Sequence, residues 1–186
     1  MDRRNDNALK ARAVRVIPNG MYGHKDTRIL PESFPQFFSR GEGAYIWDVD
    51  GNRYLDFMCG YGPSLLGYRD PRVDEAAARQ ALLGDVLTGP SPVMVELAET
   101  LVSMVSHADW AIFCKNGTDA TSMAIMAARA QTGKRIVLLA KGAYHGAAAW
   151  CTPAPAGVVP EDRALLRYYD YNDAASLEAA VALAGD

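Results

Sequence analysis

The sequence predicts an α/β protein built on a parallel sheet, and three features of one stretch carry that expectation. Ala111-Ile112-Phe113-Cys114 is a short apolar run, Thr118 to Thr132 has helical periodicity closed by Gly133, and Arg135 to Ala140 is a second apolar run. Strand, helix and strand at these lengths make a βαβ unit, in which the helix carries the chain back so that both strands run the same way.

The remaining elements follow in chain order. Leu9, Ala13, Val16 and Ile17 recur at helical spacing, which predicts a short helix from about Asn7 to Ile17, ended by Pro18-Asn19-Gly20. Two aromatic runs, Ala44 to Asp48 and Arg53 to Phe57, flank an Asp50-Gly51 turn and predict a β-hairpin. Gly60-Tyr61-Gly62-Pro63 through Gly67-Tyr68 holds too many glycines for a helix and predicts a loop. Asp70-Pro71 opens a helix that runs to Leu83, and Ser91-Pro92 opens another through Val105. After a Pro-rich loop from Pro153 to Pro160, a strand is expected near Leu165 to Tyr168 and a helix from Asp173 onward. The expected organisation is an N-terminal segment over 1–69 and part of a large α/β domain over 70–186.

Composition narrows the function class. Nearly half the residues are hydrophobic and the net charge is −3, with acidic and basic residues interspersed. That is a globular profile, without the basic stripe of a nucleic-acid binder or the polybasic run of a membrane-surface protein. The N-terminus lacks the apolar core of a signal peptide, and no run of 18 apolar residues occurs. Cys59, Cys114 and Cys151 are odd in number and far apart, with no metal-ligand spacing. Reduced thiols and a cytoplasmic location are the expectation.

Two segments carry chemistry. In Cys114-Lys115-Asn116-Gly117-Thr118-Asp119 a strand passes into a helix through a glycine and small polar residues. Free N–H groups at a helix start, together with the helix dipole and a hydroxyl, make an anion site. The same residue types are also what any helix N-cap prefers, so both readings stand on the residues alone. Lys141-Gly142-Ala143-Tyr144-His145-Gly146 follows the next strand of the same unit. Both segments then open on the carboxyl edge of one sheet, where open α/β folds bind ligands. An aromatic between glycines can lie flat on a planar ring, although Tyr144 could equally pack on the core and His145 could be a structural histidine. Asp48 and Asp50 have the spacing of a hairpin turn rather than of a metal site.

Asn116-Gly117-Thr118-Asp119-Ala120, Ala128-Arg129 with Thr132-Gly133-Lys134, and Tyr144-His145-Gly146 resemble, in order and spacing, the class III aminotransferases, where the patterns run S-G-T-E-A, A-R-x-x-T-G-R and Y-H-G. Upstream, Gly43 to Phe57 is similar to that family's G-x-x-x-x-D-x-D-G-x-x-Y-x-D-F. Gly60 to Gly67 resembles the glutamate-1-semialdehyde aminomutase branch, with Tyr68 where His is commoner. Asn116 stands for the usual Ser and Asp119 for the usual Glu.

The resemblance implies fold type I of the pyridoxal-phosphate (PLP) transferases, with PLP as cofactor. It implies that Asn116, Gly117 and Thr118 hold the phosphate and that Tyr144 stacks on the pyridine ring. Tyr61 would face the substrate. It also implies a homodimer, since the family builds its sites at a dimer interface and this chain has a Gly-rich loop and the turn Thr88-Gly89-Pro90. The expected reaction moves an amino group between a small-molecule amine donor and a carbonyl acceptor. In the family, the carboxylate on the pyridine nitrogen and the lysine of the internal Schiff base both follow the Y-H-G segment. Lys10, Lys25, Lys115, Lys134 and Lys141 all lack the context expected for that lysine. A catalytic lysine is therefore not assigned, and a non-catalytic PLP-fold binding or dimerisation module is the alternative. A Rossmann dinucleotide domain is disfavoured because no G-x-G-x-x-G follows a strand.

Overall fold

The computed structural model describes residues 1–22, 26–84 and 86–185. The chain divides into two compact units, Met1–Leu97 and Ala98–Asp186.

In the first unit, helix α1 (Arg4–Ala13) precedes a three-stranded antiparallel sheet of β1 (Phe38–Glu42), β2 (Tyr45–Asp48) and β3 (Arg53–Leu55), in the order β1-β2-β3. The hairpin forms as expected, with Tyr45 opposite Leu55 and Trp47 opposite Arg53. Strand β1 was not anticipated, because Phe38-Ser39-Arg40-Gly41-Glu42 lacks an apolar alternation and has an irregular register against β2 between Phe38 and Arg40. Helices α2 (Pro71–Ala81) and α3 (Pro92–Met104) start at their prolines, α2 with Asp70 as N-cap.

Helix α1 starts before the predicted Asn7 and stops before the predicted Ile17. The early start has a long-range cause. The Asp50 carboxylate, from the hairpin turn, accepts the backbone N–H groups of Asn5 at 2.8 Å and Asp6 at 2.9 Å, satisfying first-turn donors that no local residue caps. The early stop reflects Pro18, which disfavours helical geometry in the residue before it, and Ile17 is extended.

Two buried carboxylates hold this unit together. Asp6 accepts the N–H groups of Gln36 and Phe37 at 2.9 and 3.0 Å and is paired with Arg3 at 3.1 Å and Lys10 at 3.0 Å. Asp48 accepts from Asp50 N, Asn52 N, Asn52 Nδ2 and the Tyr54 hydroxyl, all between 2.8 and 3.0 Å. Burial pushes both acids up, but the donors around each outweigh it and hold both below the ordinary carboxylate value. Stability from these groups is present above the unfolded-state value of about 4 and is lost as pH falls through the lower folded values. We expect Asp6→Ala to cost about 3 kcal/mol, because it leaves two buried N–H groups and two cations without their acceptor. Urea unfolding at neutral pH checks this, and the variant's deficit should shrink in acid as wild type loses the same interactions.

In the second unit, α4 (Gly117–Thr132) leads to β4 (Val137–Ala140), β5 (Leu166–Tyr169) and α5 (Ala174–Ala184). Strands β4 and β5 pair in parallel, Val137 opposite Leu166 through Ala140 opposite Tyr169. Leu139, Leu166 and Ala180 are its buried apolar residues. The predicted strand Ala111–Cys114 is a correction: among the described residues it has no ladder partner, and the parallel neighbour of β4 is β5. An apolar run becomes a strand only where a second backbone answers its N–H and C=O groups, and nothing local in the sequence supplies that.

The accessible surface is 14,088 Å². A folded body of this mass exposes about 8,700 Å², and two separate bodies of half the mass about 10,500 Å². Much apolar surface is therefore uncovered, including Leu97, Leu101 and Met104 on α3 and Met126 on α4. Among the described residues, no helix is long and apolar enough to cross a membrane.

Candidate functional site

The N-terminus of α4 is the centre of the site. Asn116 is the N-cap: its side-chain carbonyl accepts the Asp119 N–H at 3.1 Å, and its amide donates to the Asp119 carboxylate at 3.0 Å. This reciprocal arrangement is a capping box with Asn and Asp in place of Ser and Glu. One amide hydrogen of Asn116 remains. The N–H groups of Gly117 and Thr118 have no protein acceptor among the described residues. Gly117 is exposed, and a Cβ there would meet nothing within 4 Å. Two donors at the positive end of a 16-residue helix are thus left without a protein acceptor.

The loop after β4 is fastened onto that helix start. The Thr118 hydroxyl accepts the Ala147 N–H at 3.1 Å, so its own proton is left to donate elsewhere. Thr121 donates its hydroxyl to the His145 carbonyl at 2.9 Å, and the Trp150 indole donates to the Ser122 hydroxyl at 3.1 Å. His145 lies parallel to Trp150 with ring centres 6.4 Å apart. Gly146 is buried at φ +129°, and a Cβ there would sit 2.7 Å from Thr118 Oγ1 and 3.0 Å from Thr118 Cα. Only glycine permits this approach. Tyr144, half exposed, is presented by the same loop. His145 Nε2 is buried with no hydrogen-bond partner, an unanswered polar atom beside the loop.

These contacts bring the loop that carries Tyr144 against the first turn of α4, which holds Gly117 and Thr118 and is capped by Asn116. Lys141 does not point to this place as a free cation, since its ammonium pairs with Asp170 at 2.8 Å. The contribution of Gly146, Thr121, Ser122 and Trp150 was not foreseen from sequence; the glycine after Tyr-His was the only available signal. Tyr61 belongs to the first unit, where it lines a cleft of about 540 Å³ with Phe34, Phe38, Tyr54, Asp56 and Tyr68.

The donor set suits a phosphate monoester. It offers two main-chain N–H groups, a hydroxyl proton and a helix N-terminus, with Tyr144 on the loop fastened to the same helix. The class III aminotransferase family model matches residues 30–155, which covers both loops and the hairpin. The chain belongs to the class III aminotransferase family. One relative, the aminopentol aminotransferase of Sphingopyxis macrogoltabida, is 61% identical over 169 residues, which is 91% of this chain and 40% of that protein. The glutamate-1-semialdehyde 2,1-aminomutase of Chloroflexus aurantiacus is 38% identical over 185 residues, 93% of this chain and 41% of the relative.

Among solved structures, the PLP internal aldimine form of the Sphingopyxis sp. MTA144 FumI protein superposes with a TM-score of 0.88 at 59% identity, over 94% of this chain and 42% of that one. An omega-transaminase from Sphaerobacter thermophilus gives 0.82 at 30% identity, over 96% and 44%. The fold is that of the PLP-dependent fold type I transaminases. The chain spans about 40% of the length of these relatives and corresponds to their N-terminal part.

Proposed function

We propose that the protein transfers an amino group between an amine donor and a carbonyl acceptor, using PLP, and that residues 1–186 supply the phosphate grip and the ring-stacking surface of its site. The observation that supports this is the seam between α4 and the loop after β4, which fastens the loop that carries Tyr144 to the helix start whose Gly117 and Thr118 N–H groups have no protein acceptor among the described residues. PLP, when bound, supplies the electron sink for the chemistry at the substrate's α carbon. The chain's own residues do the positioning. Gly117 N–H, Thr118 N–H and the Thr118 hydroxyl hold the phosphate, Asn116 fixes the first turn with one amide hydrogen to spare, and Tyr144 limits how the pyridine ring can tilt. The lysine and the pyridine-nitrogen carboxylate come from residues beyond this sequence. Residues 1–69 form a flanking segment and 70–186 part of the large domain. The intact protein is a cytoplasmic homodimer, and its remaining parts cover the exposed apolar faces of α3 and α4. The name of the relative at 61% identity favours a hydroxylated amine as donor.

The test is a PLP titration of the full-length protein followed by cofactor absorbance. Saturable binding is expected, and Thr118→Val should weaken it at least about tenfold, the worth of one hydroxyl bond to a charged phosphate. Unchanged affinity in that variant would contradict the assignment of Thr118. No saturable binding in wild type would contradict the function.

A further inference from the structure

We propose that the second unit carries a binding pocket for a small monocarboxylate, separate from the phosphate grip. The pocket, of about 270 Å³, is walled by the loop after β4 and by Leu139 of β4 and Tyr168 of β5, which stand opposite each other in the ladder. None of Asn116, Gly117, Thr118 and Tyr144 lines it.

Its wall holds a cation and no acid. Arg163, half-buried, donates Nε–H to the Ala149 carbonyl at 3.1 Å and Nη2–H to the Thr152 carbonyl at 2.6 Å. These bonds fix the guanidinium and leave Nη1 uncommitted. Among the described residues no carboxylate pairs with it, and its chain neighbours Glu161 and Asp162 line a different cavity. A partly desolvated guanidinium is costly to leave without an anion.

His145 is the second, independent observation. Its Nε2 is buried with no hydrogen-bond partner, and it lines the same pocket as Arg163. Buried polar atoms are normally answered, and an imidazole N–H can donate to an oxyanion. Tyr168, half exposed, adds a phenol hydroxyl. One full cation beside an imidazole and a phenol matches a singly charged oxyanion, and a guanidinium suits the paired oxygens of a carboxylate. Leu139 and Pro153 complete the wall and favour a short apolar tail over a second charged group.

Cys151 lines this pocket as a free, half-buried thiol, so alkylation reads the site directly. The thiolate attacks the methylene carbon of a haloacetyl reagent, the C–S bond forms as C–I breaks, iodide leaves and the thiol proton passes to solvent. The test compares iodoacetate with neutral iodoacetamide on the full-length, PLP-loaded protein, with peptide mass mapping of Cys59, Cys114 and Cys151. The rate ratio of the two reagents at one cysteine cancels that thiol's own reactivity and reports attraction of the carboxylate. The ratio at Cys151 should exceed the ratios at Cys59 and Cys114 by at least about tenfold, the worth of one charge-assisted hydrogen bond. Sodium butyrate should slow both reagents at Cys151, whereas butyramide in sodium chloride of equal ionic strength should not. Tyr168→Glu, at a half-exposed position, places a competing carboxylate in the pocket and leaves the Arg163 bonds to the loop intact. It should bring the Cys151 ratio down to that of the other cysteines while the melting temperature holds, and Arg163→Gln should do the same to the ratio. Equal ratios at the three cysteines, a Cys151 unreactive toward both reagents, butyrate protection no better than that of butyramide, or a ratio that survives Tyr168→Glu would overturn the proposal. A protein that transaminates yet fails these comparisons refutes the pocket alone. A protein that never takes up PLP refutes the amino-transfer reading, on which the pocket does not depend.

Discussion

Gly146→Ala is expected to damage the protein more than any other single-methyl change in the second unit. The added Cβ would be placed 2.7 Å from Thr118 Oγ1 and about as close to the α4 backbone, at 3.0 Å from Thr118 Cα. The backbone at φ +129° is also a region that residues with a Cβ rarely adopt. Overpacking and the unfavourable dihedral together cost about 3 kcal/mol. Relief requires the loop to lift from α4. That breaks the Ala147–Thr118 and Thr121–His145 bonds and moves the loop that carries Tyr144 away from the start of α4. A lower melting temperature and at least a tenfold loss of PLP affinity are expected in the full-length variant. Gly142→Ala is the control, because a Cβ there meets nothing within 4 Å although its φ is +75°. It should show the dihedral cost without the loss of cofactor. Equal PLP affinity in wild type and Gly146→Ala would mean that the seam does not shape the site.

The parts of the fold legible in the sequence were those set by short-range chemistry. Pro71 and Pro92 announce α2 and α3, Asp50-Gly51 announces the hairpin, and Asn116 announces the start of α4, because capping and turn formation involve residues a few positions apart. What stayed hidden depends on distant partners. The first turn of α1 is capped by Asp50, more than forty residues away, and β1 exists because β2 offers it an edge. Ala111–Cys114 shows the converse: it has a strand's composition and no neighbour to pair with among the described residues. The site follows the same division. Gly117 and Thr118 are candidates from the helix start and Tyr144 from its loop, while the Thr118, Thr121 and Ser122 contacts that fasten that loop to α4 are visible only in the tertiary structure. No feature of the sequence separates a threonine that fastens a loop from one that faces solvent.

On the family pattern no Schiff-base lysine is expected within residues 1–186. Lys10 is tied to buried Asp6 at 3.0 Å and Lys141 to Asp170 at 2.8 Å. Lys115 and Lys134 are exposed, and Lys25 lies outside the described residues. A lysine that attacks an aldehyde must be deprotonated and held over the reacting carbon, and an ammonium locked in an ion pair or moving in solvent is neither. The 186-residue chain alone can then hold PLP only through phosphate and stacking contacts, which are reversible, and transamination by it should be absent altogether. The decisive measurement is borohydride reduction of the PLP-loaded full-length protein, with peptide mass mapping. Stoichiometric labelling of one lysine beyond residue 186 is expected, with only scattered trace labelling of the five lysines within this sequence. Stoichiometric labelling of any one of those five, Lys115 or Lys141 above all, would contradict it.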